Sequence, residues 1–450
     1  MDDKIALTQG DHRRLDQVRR HLFHITDMVF RPNAADEADR REPISESKLA
    51  KGEGVWSTYK KILGWAVDTL RQTIELPPNK AALLLDILDT ARHQKRISVT
   101  ACHRLLGQLR SMMLAISGGA GLFSQLHYAL THSRSKRVRL TTAAHDHLNT
   151  LHLLALDVSR RPTRIAELFP VSAAHIVGAT DAARHGMGGI AFFRNRAFVW
   201  RASFAKATQD QLASFDNPRG SITNSDLELA ATIGHEGTLC HAFPLHEHTI
   251  HTGCDNIAAT AWRNKGSATT QGAAAYLLPE ASLQQRIHRH VPRVTYITGT
   301  SNLLADTASR RFDLSDNQLL THLDDIAPQT QPWQMLRMPP ELLLRLTSAL
   351  HRQRRVYMLP VNAPVPPTAS GPTAGSLFSP SLEWNMIPYS AVSLTKSPSY
   401  ASLPNDFMTG APAAAVSPSQ LTMLLTKSST SPKRFKNWGP RTHAATQWEK

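Results

Sequence analysis

The order of extended and helical segments between residues 174 and 315 restricts the fold of this chain more than any other feature. Three short apolar runs rich in β-forming residues occupy residues 174–204, and "RNR" at 194–196 predicts a hairpin turn between the second and third. Helical and extended patterns then alternate, and residues 223–225 offer N-caps for the first helix. The order βββαβαβα predicts an α/β fold with one mixed sheet and flanking helices.

Four acidic residues are distributed over this pattern. Asp181 ends the first predicted strand, Glu228 lies in the first helix, Asp255 ends the fourth strand and Asp306 lies in the last helix. Four converging carboxylates raise one another's pKa unless a cation neutralises them. Their hard oxygen atoms favour Mg²⁺ or Mn²⁺, and two such ions about 3.5–4 Å apart can assist phosphodiester hydrolysis. Any one acid could equally be a turn, cap or surface residue, but four in this order predict a two-metal site.

A glycine-rich stretch next to Asp181 raises the alternative of a phosphate-binding loop. A P-loop needs Gly-Lys-Ser/Thr at the start of a helix, and a dinucleotide fingerprint needs a helix directly after its glycines. Here Gly188 and Gly189 precede another apolar, strand-like run. We therefore predict that these glycines form a strand-to-strand turn beside the acid.

The net charge of +15 makes a polyanion such as nucleic acid the first partner to consider. No acidic residue occurs between Asp89 and Asp146, whereas nine Lys and Arg do, on a pattern that predicts helices. This segment is expected to follow a nucleic-acid backbone, although a solvated helical bundle is the alternative. The candidate contacts are Arg104, Arg110, Arg134, Lys136, Arg137 and Arg139, with Trp262, Arg263 and Lys265 further along. For Trp262 a place in the core is an equally good interpretation.

Other features of the sequence narrow the class of protein. The three cysteines form no CxxC pair, and no apolar run reaches the roughly 18 residues of a membrane span. We expect an intracellular protein, in the cytoplasm or the nucleus. Residues 360–450 contain 13 prolines and three acidic residues, which predicts a mostly disordered tail. Further helices are predicted over residues 317–325 and 340–354.

Four short motifs together resemble the RNase H domain of retroelement reverse transcriptases of the DIRS-type or gypsy-like kind. They read "TDAARHGMGG", "DLELAA", "CDNIAATAW" and "GTSNLLADTASR", and they span residues 174–315 in the family's order. The resemblance implies that Asp181, Glu228, Asp255 and Asp306 are catalytic, metal-binding acids. With two Mg²⁺ or Mn²⁺ ions, they would hydrolyse the RNA strand of an RNA/DNA hybrid. Asn256, Ser309 and Arg310 also match, without an assigned chemistry.

One departure from the family lies in the loop before the last acid. Many RNase H domains have a histidine there, whereas this loop reads "YITGTSN". His288 and His290 lie upstream, where the pattern places them on the preceding helix. The resemblance therefore implies slower turnover rather than no activity.

The first residues resemble a reverse transcriptase palm. "MDDKIALTQG" is similar to the [Tyr]-x-Asp-Asp hairpin, and "KILGW" stands at the position of the primer grip. The resemblance implies that Asp2 and Asp3 are the remnant of the polymerase metal pair, although an ordinary acidic N-terminus is the alternative. A polymerase needs a third carboxylate for its two ions, so we expect no DNA synthesis by this chain alone.

These inferences divide the chain into five segments. They are a palm remnant at 1–75, a helical basic thumb and connection at 76–173, an RNase H-like domain at 174–315, a helical extension at 316–359 and a low-complexity tail at 360–450. The expected function is that of a retrotransposon-derived RNase H-type endoribonuclease with an incomplete polymerase part. A non-catalytic nucleic-acid-binding relic and a decayed product that folds poorly are the alternatives.

Overall fold

The computed structural model describes residues 4–30, 49–50, 52, 54–169, 174–268, 270–353 and 421–426. The chain forms two compact units, one from residues 1–60 with 418–450 and the other from residues 61–417. Helices and sheets are mixed, so the α/β multi-domain prediction is confirmed. In the described part of the chain, no helix is both long and apolar enough to cross a membrane.

The helices of the described residues are α1 (His12–Phe30), α2 (Pro78–His93), α3 (Val99–Met112), α4 (Ser124–Thr131), α5 (Thr142–Arg160), α6 (Lys206–Asp210), α7 (Asn224–Ala242), α8 (Ile257–Lys265), α9 (Ala274–His288), α10 (Leu303–Arg310), α11 (Asp316–Ile326) and α12 (Pro340–Leu350). The strands are β1 (Lys4–Gln9), β2 (Tyr59–Ile62), β3 (Trp65–Asp68), β4 (Thr73–Glu75), β5 (Arg96–Ser98), β6 (Arg137–Arg139), β7 (Thr163–Arg164), β8 (Ile176–Ala183), β9 (Gly186–Phe193), β10 (Arg196–Ser203), β11 (Thr249–Cys254), β12 (Val291–Tyr296), β13 (Gln334–Met335) and β14 (Leu421–Thr426).

The first unit contains a two-stranded antiparallel sheet in which β1 pairs with β14. The tail, which the sequence predicts to be mostly disordered, therefore contains a strand at Leu421–Thr426. Their sequence, "LTMLLT", contains no proline, so every residue keeps the backbone N–H that pairing with another strand requires. Asp2, Asp3 and the remainder of the predicted tail lie outside the described residues.

Helices α2, α3 and α5 surround one apolar core of the second unit. Leu88, Leu109 and Leu151, one from each helix, are fully buried in it. Side chains cap two of these helices, because Ser98 accepts a hydrogen bond from the Ala101 N–H and Thr141 from the Ala144 N–H. Helix formation here agrees with the sequence pattern.

The basic segment is not purely helical, which corrects the sequence prediction. Strands β5 and β6 form an antiparallel pair in which Arg96 lies opposite Arg139 and Ile97 opposite Val138. The two aliphatic residues are buried and their basic neighbours are exposed. Each strand has only three residues, so its period-two alternation is too short to stand out against the helical pattern around it.

A six-stranded sheet with the order β12-β11-β8-β9-β10-β13 forms the other part of the second unit. Strands β8, β9 and β10 are successive antiparallel neighbours, whereas β11 and β12 run parallel to β8. The predicted turn between β9 and β10 is present, with Arg194 and Asn195 at φ 50° and 58°. Two consecutive left-handed residues give the tight hairpin turn that matches the twist of the strands.

Gly188 and Gly189 lie inside β9, so the prediction that they form a turn is wrong. The turn is made by Arg184 and His185. A Cβ on Gly188 would lie 2.7 Å from the carbonyl carbon of Ala308 in α10, and one on Gly189 would lie 2.7 Å from the Trp200 indole nitrogen and 3.1 Å from His235 in α7. Because neighbouring residues of a strand face opposite sides, α10 and α7 cover opposite faces of the sheet.

Buried ion pairs join the helical part of the second unit to its sheet part. Glu167 is fully buried, and both Arg161 (2.9 Å) and Arg286 (3.4 Å) pair with its carboxylate. His147 of α5 bridges the carbonyl oxygens of Leu122 and Ala275. The predicted boundary between residues 173 and 174, like the other predicted boundaries, stays a prediction.

We predict that Gly188→Ala lowers the free energy of unfolding by roughly 1–3 kcal/mol, because the added methyl group forces α10 away from β9. The matched control is Gly107→Ala in the exposed middle of α3, where nothing lies within 4 Å of the new Cβ. That variant should gain roughly 0.5–1 kcal/mol from helix propensity. Urea unfolding of both variants measures the difference, and equal midpoints would contradict the close packing of α10.

Candidate functional site

Asp181 lies in β8, two residues before the strand ends at Ala183, and only 2% of its surface is exposed. It is opposite Gly188 in the ladder, so its side chain shares the face that α10 covers. The Ser309 hydroxyl of α10 donates a hydrogen bond to its Oδ2 atom. The packing of α10 on β9 therefore brings a partner to this carboxylate.

Glu228 comes from the second turn of α7 and is equally buried. Thr223 is the N-cap, as the sequence indicated, and it forms a reciprocal capping box with Asp226 that fixes where the helix begins. The Ala182 N–H donates to Glu228 Oε1 at 3.3 Å, directly after Asp181 in β8. Glu228 is thus tied to the same end of the strand.

Asp255 follows the last residue of β11, and Asp306 lies in α10. Asn302, just before α10, donates from Nδ2 to the carbonyl oxygen of Thr180 at 2.9 Å and also hydrogen-bonds Asp255. This buried amide links the ends of β8 and β11. Four elements therefore bring all four sequence-predicted acids to one edge of the sheet.

The carboxylates of the cluster are buried close to one another, with little positive charge to compensate their negative charges. Burial raises the pKa of Asp181 to about 6, and repulsion from Asp255 and Asp306 adds to it against the Ser309 hydrogen bond. Burial raises the pKa of Glu228 to about 9, with further repulsion from Asp181 and Asp255. Burial also raises the pKa of Asp255. Ionisation of this cluster is unfavourable until a cation arrives.

The donor atoms of the cluster fit hard divalent cations. Ligand atoms of Glu228, Cys254 and Asp255 lie within 4.8 Å of one another. Burial raises the pKa of the Cys254 thiol to about 12, and its soft sulfur suits Mg²⁺ or Mn²⁺ less well than a carboxylate oxygen does. The carboxylates remain, and oxygen donors of this kind suit Mg²⁺ or Mn²⁺. The buried Oδ1 atom of Asn302 has no hydrogen-bond partner, which adds an unsatisfied oxygen atom at the same edge.

A second glutamate of α7 shows what a fully neutralised carboxylate looks like. Glu236 is also buried, but Arg263 of α8 makes a bidentate pair with it at 2.6 and 3.0 Å, and His290 lies 3.3 Å away. Although burial alone would raise the pKa of Glu236, Arg263 and His290 lower it to about 2. This pairing is structural, in contrast to Glu228.

The ion pair between Arg263 and Glu236 corrects the prediction that Arg263 contacts nucleic acid. Arg263 is buried against Glu236, so it does not offer its charge to a nucleic acid as the sequence suggested.

His288 is the last residue of α9, whereas His290 lies beyond the helix. Trp262 is half-buried and packs on the core, while Lys265 is exposed. Asn256 caps α8 by accepting from the Ala259 N–H, which is a structural role.

The predicted basic contacts are exposed, and they occupy α3, the loop after α4 and β6. They are Arg104, Arg110, Arg134, Lys136, Arg137 and Arg139. Lys95 and Arg96 are not among the predicted contacts, but they are exposed beside Arg137 and line an open depression with Ser98. The alternation in "RIS" and "RVR" is the signal that places these charges on one surface.

Comparisons with known proteins identify no family. No family model and no curated protein matches the chain. Among solved structures, it is similar to the foamy viral protease-reverse transcriptase in complex with RNA/DNA hybrid, with 9% identity, a TM-score of 0.22 and coverage of 53% of this chain and 29% of the other. The same protein in complex with dsDNA gives 9% identity, a TM-score of 0.23 and coverage of 54% and 45%. The chain spans less than half of these structures, and the similarity is weak.

We expect opposite effects when the two buried glutamates of α7 lose their charge. Metal-free Glu228→Gln should unfold at higher urea than wild type at pH 8, by roughly 1–3 kcal/mol, because folded wild type must keep Glu228 protonated at a pH where the unfolded chain releases that proton. The Glu228 pKa is 4.5 when unperturbed and about 9 when folded, so wild type loses this stability as the pH rises from 4.5 towards 9. Below pH 4.5 the two proteins should agree.

Glu236→Gln is the matched comparison. It leaves the Arg263 charge buried and unpaired, which should cost roughly 3–5 kcal/mol at neutral pH. The Glu236 pKa falls from 4.5 to about 2 on folding, so its contribution is present above pH 4.5 and is lost as the pH falls towards 2. Urea unfolding of both variants and wild type in EDTA, at pH 8 and below pH 4.5, measures these differences. Destabilisation by Glu228→Gln at pH 8 would contradict the unfavourable ionisation of the cluster.

Proposed function

We propose that residues 174–315 form an RNase H-like domain that hydrolyses the RNA strand of RNA/DNA hybrids with two Mg²⁺ or Mn²⁺ ions. The observation that carries the proposal is the convergence of Asp181, Glu228, Asp255 and Asp306 from β8, α7, the end of β11 and α10. Support also comes from the single mixed sheet of this segment, in which β8 is antiparallel to β9 and parallel to β11.

Two divalent cations at this edge would stabilise the attacking and leaving oxygens of a phosphodiester. The residues of the chain have separate tasks in holding them. Asp181 and Asp255 project from a buried strand and a strand end, which limits their movement, and Glu228 is held by the Ala182 N–H. Ser309 occupies one oxygen of Asp181 and thereby orients the other. Asn302 keeps the ends of β8 and β11 at a set separation.

Binding of the hybrid is proposed to use the exposed basic surface. The surface of α3, β5 and β6 carries no acidic residue between Asp89 and Asp146, so it attracts phosphates without reading sequence. Lys265, at the end of α8, is a further candidate on the sheet part of the same compact unit. Such contacts release counterions, and the affinity should fall steeply with salt.

The hairpin β2–β3 supports a relation to reverse transcriptases upstream of this domain. "KILGW" forms its turn, with Leu63 and Gly64 at φ 51° and 87°. Trp65 is buried and its indole nitrogen donates to the Ser111 carbonyl oxygen at 3.0 Å. We propose that this hairpin corresponds to the primer grip.

We predict that Asp181→Asn reduces cleavage of the RNA strand in a labelled RNA/DNA hybrid by at least about 100-fold, because a ligand charge is lost. Asp210→Asn is the matched control, since Asp210 is exposed and pairs with Lys206 one turn away. Gel analysis in Mg²⁺ and in Mn²⁺ measures both. Equal rates for Asp181→Asn and wild type would overturn the site. Hybrid binding by wild type without cleavage in either ion would favour a non-catalytic binding protein.

We also predict that replacing Arg137 and Arg139 together by Gln weakens hybrid binding for every sequence alike. The slope of log affinity against log salt should become shallower by up to about 2, one phosphate contact per arginine. Arg71→Gln is the control, because Arg71 is exposed and pairs with Asp68. Fluorescence anisotropy in EDTA from low to moderate salt measures the slope, and equal slopes in both variants would contradict the assignment.

A further inference from the structure

Arg310 is a basic side chain in direct contact with the carboxylate cluster. It lies one helical turn after Asp306 in α10, and its Nε donates to Asp306 Oδ1. Its side chain is 57% exposed and that of Asp306 is 39% exposed, whereas Asp181 and Glu228 are buried. The pair therefore lies on the solvent side of the cluster, where ions and substrate must enter.

The charge of Arg310 reaches beyond Asp306. It lowers the pKa values of Asp181, Glu228 and Asp255 against the much larger effect of burial. The neighbouring arginines are engaged elsewhere, because Arg263 pairs with Glu236 and Arg311 pairs with Asp313. The Arg310 guanidinium thus partly offsets the charge of the cluster, and it does so through Asp306, which is more exposed than Asp181 and Glu228.

The ion pair between Arg310 and Asp306 can readily be replaced by another partner for the carboxylate. An exposed ion pair between residues one helical turn apart is weak, since both side chains remain solvated and give up rotamer freedom. A divalent cation brings twice the charge to the same carboxylate. Once released, the guanidinium can donate two parallel hydrogen bonds to a phosphate, a geometry for which arginine is well suited.

We propose that Arg310 is a displaceable counter-ion, which neutralises Asp306 until a divalent cation binds there and then binds a phosphate of the nucleic-acid strand. The inference rests on the proposed nuclease function and assigns a substrate-binding role to a residue that the sequence left without one. It couples occupancy of the cation site to capture of the substrate, because the same event frees the phosphate-binding group.

The first test measures cation binding without substrate. Isothermal titration of Mn²⁺ into Arg310→Gln should give a dissociation constant up to about fivefold lower than wild type, since a competing cation is removed. Arg311→Gln is the matched control, because it deletes the adjacent arginine, which is also partly exposed and pairs with Asp313 instead. An unchanged constant in Arg310→Gln, or equal tightening in both variants, would overturn the proposal.

The second test measures binding of a fluorescent RNA/DNA hybrid by anisotropy, in EDTA and in Ca²⁺ under conditions where no product forms. In EDTA wild type and Arg310→Gln should bind alike, because the guanidinium is held by Asp306. In Ca²⁺ wild type should bind several-fold more tightly than Arg310→Gln, with a salt slope steeper by about 1. Equal affinities in Ca²⁺ would overturn the phosphate contact.

Arg310→Lys separates charge from geometry. It should bind Mn²⁺ as wild type does, but hold the hybrid less tightly in Ca²⁺, because an ammonium group lacks the planar fork of a guanidinium. If wild type cleaves no hybrid at all, the proposed nuclease function fails, whereas the Mn²⁺ and anisotropy measurements still decide the role of Arg310. The two failures are therefore distinguishable.

Discussion

The close approach of α10 to β9 is the constraint on which the rest of the site depends. Gly188 presents no side chain to the backbone of Ala308 and Ser309, so the helix lies directly on the strand. Only at this distance does the Ser309 hydroxyl reach Asp181 on the adjacent strand. The same packing carries Asp306 to the sheet edge. A tight backbone contact of this kind fixes the relative placement of two carboxylates that are far apart in sequence.

The contrast between the two buried glutamates of α7 separates structure from candidate function. Glu236 has a guanidinium in bidentate contact, and its charge is stabilised. Glu228 is buried to a similar degree, but its surroundings include Asp181 and Asp255 and no paired cation. An arrangement that opposes its own ionisation reduces stability unless a ligand compensates. Clusters of this kind are found mainly at functional sites.

Much of the fold could be predicted from the sequence, and the failures share a physical cause. Helices such as α3 and α7 were predicted from their local residue pattern, and Thr223 was available as an N-cap. The β5–β6 pair, β14 and the placement of Gly188 inside a strand were missed. The β5–β6 pair and β14 depend on a partner distant in the chain, about which local propensity carries no information, whereas Gly188 tolerates a strand because α10 packs directly on it. The burial of Arg263 was missed for the same reason.

The sequence by itself determined the order of the elements around the four acids and the excess of positive charge, because both are properties of local pattern and composition. It also supplied carboxylates at or near strand ends, the positions from which side chains can meet at a sheet edge. Only the tertiary structure decided that Arg263 forms its ion pair with Glu236 and that Arg96 lies beside Arg139. Which charge neutralises which depends on distances of a few ångströms between distant segments, since the attraction between charges falls with distance and depends on burial.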